Sequence, residues 1–112
     1  MLITAIKQTS PGRLTVTLED EREIKTTLGV VTDLRLFSGR ELDEGGLEEL
    51  ERESRRALTR EKALEYLSRR AMSRKELEKK LTDKGYDEED AAYCAAWLAE
   101  RGLIDDAGYA AA

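Results

Sequence analysis

The sequence predicts an α+β protein, with a small N-terminal antiparallel β meander and a short helix followed by a three-helix repeat of mainly α character. Two observations carry this prediction. Apolar and polar residues alternate along three short segments within residues 1–28, which is the period of half-buried strands. From about residue 46 apolar residues recur every three or four positions, which is the period of amphipathic helices. We therefore expect two domains, residues 1–44 and residues 45–112.

The β unit is expected to hold three consecutive strands. In the central strand, Leu14, Val16 and Leu18 alternate with polar residues. Ser10-Pro11-Gly12, just before it, is typical of a β-turn, because proline suits the first central position of a turn and glycine the second. Short strands joined in this way favour an antiparallel meander with one face in solvent.

A short helix is expected to cover the apolar face of this meander, since so small a sheet needs a packing partner. Its apolar residues recur at helical spacing and are Val30, Val31, Leu34 and Phe37. Gly39 is predicted to end the helix, because glycine is favoured just after a helix C-terminus. Residues 40–46, rich in acidic residues and glycine, are the expected linker to the helical part.

The first helix of the repeat is predicted over about residues 46–70. Its middle, Glu51 to Arg56, is nearly all charged, so we expect this part to project into solvent. Thr59 marks a position where the helix either continues or kinks, and the sequence leaves both open. The glycines at 45 and 46 alone are weak grounds for a phosphate site.

The second helix is predicted over about residues 74–84. Ser73, followed three residues later by Glu76, forms the capping-box pattern that opens a helix. Leu77 and Leu81 would lie on one face, and Gly85 would end the helix.

The third helix is expected to begin at Asp87 and to end at Gly102. The residues that it would bury are spaced along one face: Ala91, Cys94, Ala95 and Leu98. Tyr93 and Trp97 lie beside that face. Aromatic side chains in such positions pack at the rim of the core more often than they form a cage around a ligand. Asp105 reads as the N-cap of a fourth helix, the start of a second repeat.

Composition argues against an enzyme, and no cofactor or metal site is expected. The chain has no histidine and a single cysteine, Cys94, so the usual zinc ligand sets and His-dependent catalysis are excluded. Neither a Walker A sequence nor a Gly-x-Gly-x-x-Gly motif is present. No long apolar run or signal peptide occurs. These features predict a cytoplasmic protein without membrane contact.

Charge is concentrated near the turn between the first two helices. Residues 52–84 hold 12 Lys and Arg against 6 Asp and Glu, although the whole chain has a net charge of −5. The candidate partner-binding residues are the cations at and after this turn: Arg69, Arg70, Arg74 and Lys75, with Lys79 and Lys80 as second choices. Such a cluster suits an acidic partner surface or DNA. The alternative is an ordinary solvated helix face, in which Arg70 packs its stem over the repeat and caps helix-end carbonyls.

Three blocks of this sequence, in order and spacing, resemble the RecX family of bacterial regulatory proteins. The blocks are Ala63-Leu64-x-Tyr66-Leu67-Ser68-x-Arg70, Ser73-x-x-Glu76-Leu77-x-x-x-Leu81-x-x-x-Gly85 and Leu98-x-x-x-Gly102-Leu103-Ile104-Asp105-Asp106-x-x-Tyr109-Ala110. The resemblance extends more loosely over the N-terminal half, and implies the first three-helix repeat of that family plus the start of a second.

The resemblance implies a non-enzymatic protein that binds the RecA filament on single-stranded DNA and inhibits recombinase, ATPase and coprotease activity. Because tandem repeats multiply weak contacts, one repeat alone should bind weakly. Two alternatives stay open on the residues alone. One is a helix-turn-helix-like DNA-binding module, which the net charge of −5 and the pI near 4.9 oppose. The other is a structural helical repeat fragment whose binding surface lies elsewhere.

Overall fold

The computed structural model describes residues 1–104. Its elements in chain order are β1 (Ile3–Ser10), β2 (Arg13–Leu18), β3 (Glu23–Thr27), α1 (Leu28–Asp33), α2 (Glu44–Arg69), α3 (Arg74–Asp83) and α4 (Glu88–Glu100). The predicted α+β class is confirmed. The fourth helix expected at Asp105 falls outside the described residues. Within residues 1–104 no helix is both long and apolar enough to cross a bilayer.

The described chain forms two compact units, residues 1–57 and residues 58–104, and α2 contributes residues to both. Each unit has its own buried apolar cluster. In the first, residues of the sheet pack with α1 and the first part of α2; in the second, the end of α2 packs with α3 and α4. The division expected at residues 44 and 45 concerns where the repeat begins, and it stays a prediction.

The sheet is the predicted antiparallel meander, in the order β1-β2-β3. Gly12 has a φ of 75°, which a glycine adopts at no steric cost in the turn between β1 and β2. Val16 on β2 pairs with Ile6 on β1 and with Ile24 on β3. Because directly paired residues share a face, these apolar side chains form the inner face of the sheet. Val16 and Leu18 are fully buried there.

The predicted course of α1 is wrong at its end. The helix stops well before Gly39, and Arg35 takes the left-handed conformation with a φ of 53°. The N–H of Leu36 then bonds the carbonyl of Val31 at 2.9 Å, which closes the helix in a Schellman motif. Leu36 is therefore carried into the core, whereas Phe37 lies outside the helix and is 58% exposed.

The expected linker is also wrong, because residues 40–46 are held to the first unit. Leu42 is buried, and its N–H bonds the carbonyl of Met1 at 2.8 Å. Glu44 to Gly46 already belong to α2. A carboxylate oxygen of Asp43 accepts the N–H of Gly46 at 2.6 Å, so an N-cap carboxylate occupies the helix start.

The middle of α2 does not project into solvent, contrary to the prediction. Leu50, Ser54 and Ala57 are all buried, and their spacing of four and three residues gives one helix face. The hydroxyl of Ser54 donates to the hydroxyl of Thr26 on β3 at 2.8 Å, which satisfies a polar pair inside the core. The helix is continuous through Thr59, which is also buried.

The second and third helices of the repeat agree with the prediction. Ser73 and Glu76 form a complete capping box at the start of α3, and Asp87 caps the start of α4. Both helices end in a glycine with positive φ, Gly85 at 97° and Gly102 at 73°. The predicted buried residues, which are Leu77, Leu81, Ala91, Cys94, Ala95 and Leu98, are all fully buried.

Candidate partner-binding corner

The candidate site is the set of six cations around the turn between α2 and α3, here called the basic corner. Its members are Arg69, Arg70, Arg74, Lys75, Lys79 and Lys80. Arg69 is the last residue of α2, and Arg74 is the first residue of α3. Cations are favoured at the C-terminus of a helix, where the carbonyl ends carry negative partial charge. The structure places Arg69 at the end of α2, Arg70 in the turn and the other four cations on α3.

The capping box organises the turn and holds Arg70. One carboxylate oxygen of Glu76 accepts the N–H of Ser73 at 3.2 Å, and the other accepts from the Arg70 guanidinium at 2.9 Å. Arg70 also donates to the carbonyl of Ala71 at 3.2 Å. Arg70 therefore links the turn to the first turn of α3. This contact with a main-chain carbonyl agrees in kind with the structural alternative raised for Arg70.

Arg69 shares its carboxylate partner with Lys62 on the same helix. Glu65 accepts from Lys62 at 3.1 Å and from Arg69 at 3.0 Å. The hydrogen bond and charge of Lys62, followed by the charge of Arg69, lower the pKa of Glu65 below its ordinary value. Glu65 therefore stays ionised to a lower pH than an ordinary glutamate and neutralises part of the corner.

Two further cations of the corner pair along α3. Arg74 lies 3.6 Å from Glu78, and Lys79 lies 2.9 Å from Asp83, each pair being four residues apart. Exposed pairs of this spacing stabilise a helix by only about 0.3–0.5 kcal/mol. A partner with well-placed carboxylates can therefore displace the internal ones at low cost.

Lys80 lies over the ring of a buried tyrosine instead of pairing with an acid. Its ammonium is 4.6 Å from the ring centre of Tyr66, and that of Lys62 is 5.3 Å from the same centre. These distances are in the cation–π range. Tyr66 is 3% exposed, and its hydroxyl has no hydrogen-bond partner among residues 1–104. Buried hydroxyls are usually paired, so this one is a local cost within the repeat.

Lys75 is the cation of the corner with the greatest freedom. It is exposed, and within residues 1–104 no carboxylate lies within ion-pair distance of its ammonium. It lines an open groove of about 550 Å³ between α3 and α4, together with Lys79, Thr82, Tyr86 and Glu88 among others. Lys75 and Lys79 thus share one face of α3, as their spacing predicts.

A second cationic feature of the repeat was missed from the sequence. The guanidinium groups of Arg60 and Arg101 lie 4.6 and 3.4 Å from the ring centre of Trp97. Arg101 also donates to the carbonyl of Trp97 at 3.3 Å. The four-residue spacing of Trp97 and Arg101 is a sequence signal for part of this stack. Because cations cover the indole, Trp97 lies at the core rim, as expected.

Fold and site together define a class of protein, namely a small α+β protein in which a β meander leads into a capped three-helix repeat with a basic turn. Among the described residues no three His, Cys, Asp or Glu side chains are grouped to hold a metal ion. The cations of the basic corner are carried on a surface of α2, the turn and α3 that is mainly exposed or half-buried.

Comparison with known proteins identifies the family within this class. The family described as RecX, first three-helix domain, matches residues 60–98. Proteins named regulatory protein RecX are 33% identical over 111 residues in Levilactobacillus brevis and 29% identical over 103 residues in Leuconostoc citreum. A crystal structure of regulatory protein RecX superposes with a TM-score of 0.77 over 98% of this chain and 55% of the other, at 29% identity. The chain belongs to the RecX family.

The matches also define how much of a relative this chain represents. The match to the Levilactobacillus brevis protein covers 98% of this chain but only 42% of that protein. The match to the Leuconostoc citreum protein covers 92% of this chain and 39% of that protein.

Proposed function

We propose that this chain is a non-enzymatic regulator that binds the RecA filament on single-stranded DNA and inhibits recombinase, ATPase and coprotease activity. The observation that carries the proposal is membership of the RecX family, with a fold match over nearly the whole chain. The relatives are named as regulatory proteins. A cytoplasmic location goes with this proposal, because the filament is formed there.

The basic corner is the proposed contact surface for an acidic part of the filament. Apart from Lys80, which covers the ring of Tyr66, its cations are exposed, and most are held by weak surface pairs, so binding does not require the domain to unfold. Lys75 is the strongest single candidate, because it can pair with a new carboxylate or phosphate without first losing an internal partner. Substitution of Arg70 is a poor test of filament contact, because it also removes a hydrogen-bond partner of the Glu76 carboxylate.

The helix-turn-helix alternative receives less support from the structure. In such modules the N-terminal residues of the second helix approach base edges and phosphates. Here the first turn of α4 carries Glu88, Glu89 and Asp90, which would repel the DNA backbone. At the turn between α2 and α3, Arg69, Arg70 and Arg74 are each paired with a neighbouring carboxylate.

Fluorescence anisotropy of labelled single-stranded DNA with ATP tests the proposal. The chain is titrated with and without RecA, and ATP hydrolysis is followed in parallel. We expect a change only when RecA is present, together with slower hydrolysis. Equal binding to bare DNA would contradict filament recognition, and no effect in either assay would contradict a regulatory role for this part of the family fold.

A matched pair of charge reversals tests the corner. Lys75→Glu and Lys84→Glu change the net charge equally, and both lysines are exposed on or next to α3, about 14 Å apart along the helix. We expect Lys75→Glu to weaken filament binding about tenfold and Lys84→Glu to weaken it much less. Equal losses would show a general charge effect and contradict the assignment.

A further inference from the structure

The outer face of the β-sheet carries a second group of cations, at a place that the proposed function does not use. Thr15 on β2 pairs with Lys7 on β1 and with Lys25 on β3. Paired residues share a face, and Val16, the next residue on β2, faces the core. Lys7, Thr15 and Lys25 therefore form a straight line across the outer face, here called the basic row.

The two lysines of the basic row are exposed and without an internal counter-ion. Within residues 1–104 neither ammonium has a carboxylate within ion-pair distance. Glu23, two residues before Lys25 on β3, lies on the same face without pairing with it. Neighbouring strands are about 4.8 Å apart, so the two lysine backbones are separated by about 10 Å. The row thus presents two uncompensated positive charges with a hydroxyl between them.

The surroundings of the row add polar groups. Arg13 lies two residues before Thr15 on β2, which places it on the same face. An open depression of about 340 Å³ beside the row is lined by Arg13, Thr15, Lys25 and the hydroxyl residues Thr9 and Ser10, among others. Ammonium, guanidinium and hydroxyl groups are the usual donors to phosphate oxygens.

The same face has no platform for stacking a base. The first 27 residues contain no Phe, Trp or Tyr, whereas binders of single strands stack unpaired bases on aromatic side chains. An occupant must therefore offer a dense line of anions and keep its bases away from the surface. A nucleic-acid duplex does both, because its phosphates lie outside the paired bases.

We propose that the basic row binds the phosphate backbone of double-stranded DNA and does not read its bases. The contact is weak and depends strongly on salt, because two lysines and Arg13 act within a chain of net charge −5. The row lies within the first compact unit, and the contact is independent of filament binding by the basic corner.

A purely structural role for the lysines makes a different prediction. β1 and β3 are the edge strands of the sheet, and lysines on edge strands prevent pairing with other sheets. For that role any charged residue suffices, so Lys→Glu variants would keep the protein monomeric. For phosphate binding only a positive charge suffices.

The test is anisotropy of a labelled 20-base-pair duplex of mixed sequence, measured over a range of salt concentrations. The variants are Lys7→Gln/Lys25→Gln, the charge-retaining Lys7→Arg/Lys25→Arg, and Lys84→Glu, which removes the same net charge in the second unit. Each duplex phosphate contact contributes about 0.9 to the slope of log K against log salt. We expect the Gln variant to lower the slope by about 1.8, with the Arg variant and Lys84→Glu near the parent value.

Three results would overturn the proposal. One is an unchanged slope in the Gln variant, and another is an equal loss in Lys84→Glu. The third is competition by polyglutamate or by a single strand that equals competition by unlabelled duplex at the same charge concentration, which would assign the face to an acidic protein or to unpaired DNA. Filament binding is measured separately, so failure here leaves the proposed function untouched.

Discussion

The basic corner and the basic row are both clusters of cations, yet they differ in what surrounds each charge. In the corner, Arg69, Arg74 and Lys79 each lie within 4 Å of a carboxylate on their own helix. Arg70, in the turn, lies 2.9 Å from the carboxylate of Glu76. In the row, Lys7 and Lys25 have no such partner among the described residues. The difference follows from geometry, because a helix brings residues four apart together, whereas a strand turns successive residues to opposite faces.

This difference bears on how each surface can bind. A partner that contacts the paired cations of the corner must exchange one carboxylate for another, whereas Lys75 requires no exchange. Such an exchange favours partners with well-placed acidic groups and gives selectivity. A partner of the row needs only to release counter-ions, which gives binding without sequence preference. The number of cations in a segment is therefore a poor measure of the charge that a partner meets.

The largest effect on the comparison is expected from a cavity in the apolar core beneath the basic corner. Leu77 is fully buried on α3, so Leu77→Ala leaves a cavity and should lower the free energy of unfolding by about 3 kcal/mol. Urea unfolding followed by the fluorescence of Trp97, the single tryptophan, measures this. Leu64→Ala, at a side chain 41% exposed, is the control and should cost far less. Similar losses would contradict a packed core beneath the corner.

The next largest effect is expected at the helix cap that shapes the corner. Ser73→Ala removes the acceptor of the Glu76 N–H and should cost about 1 kcal/mol in the free energy of unfolding. In Ser68, by contrast, the hydroxyl only donates to the carbonyl of Glu65, so Ser68→Ala should be close to neutral. Urea unfolding of the two variants side by side decides the matter, and a reversed order would contradict the capping role.

A smaller effect, in the stabilising direction, is expected at Tyr66. Its buried hydroxyl has no partner in the described part of the chain, so Tyr66→Phe should leave the free energy of unfolding unchanged or raise it by up to about 1 kcal/mol. The ring that Lys80 covers is kept. Thermal unfolding measures the change, and a loss above about 1 kcal/mol would show that the hydroxyl has a stabilising partner in solution.

The smallest effect is expected on lowering the pH, which should change the charge of the basic corner but not that of the basic row. Lys62 first, and Arg69 second, hold the pKa of Glu65 below its ordinary value. The contacts of Glu65 with these two cations therefore stabilise the folded state at any pH above the ordinary pKa of glutamate. The contribution is lost as the pH falls through the lowered pKa of the folded state. Arg69 then has no ionised partner, so the corner becomes more positive in acid. The row has no paired carboxylate to protonate.

Carbon-13 NMR of the Glu65 carboxyl tests this expectation directly. We expect a titration below the ordinary glutamate range in the parent protein. Lys62→Gln should raise the pKa more than Arg69→Gln does, because the Lys62 contact is the larger cause. An equal or inverse order would contradict the assignment of the cause.

The helices of the repeat were predictable from the sequence because their signals are local. Ser73 with Glu76, Asp87, Gly85 and Gly102 are caps that act within one helical turn. The end of α1 was not predictable, because the turn needed a left-handed residue and Arg35 provides it although arginine rarely does. Once the chain turns there, Leu36 rather than Phe37 reaches the core.

The charged middle of α2 misled the prediction for a different reason. The buried stripe there is carried by Ser54 and Ala57 as well as Leu50, and small residues give little hydropathy signal among many charges. In the candidate site, the positions of the six cations followed from the sequence, but their partners depend on side-chain conformations. The basic row needed the strand register, which short alternating segments do not define on their own.

The order of elements has a consequence for how the chain acquires its structure. In the sheet, each strand pairs with the next one along the chain, and α3 packs against α4, which follows it directly. Contacts between segments close in sequence close short loops, which form quickly. We therefore expect the hairpins and the α3–α4 pair to assemble early. During synthesis, the sheet can begin to form before the residues of α3 and α4 have been made.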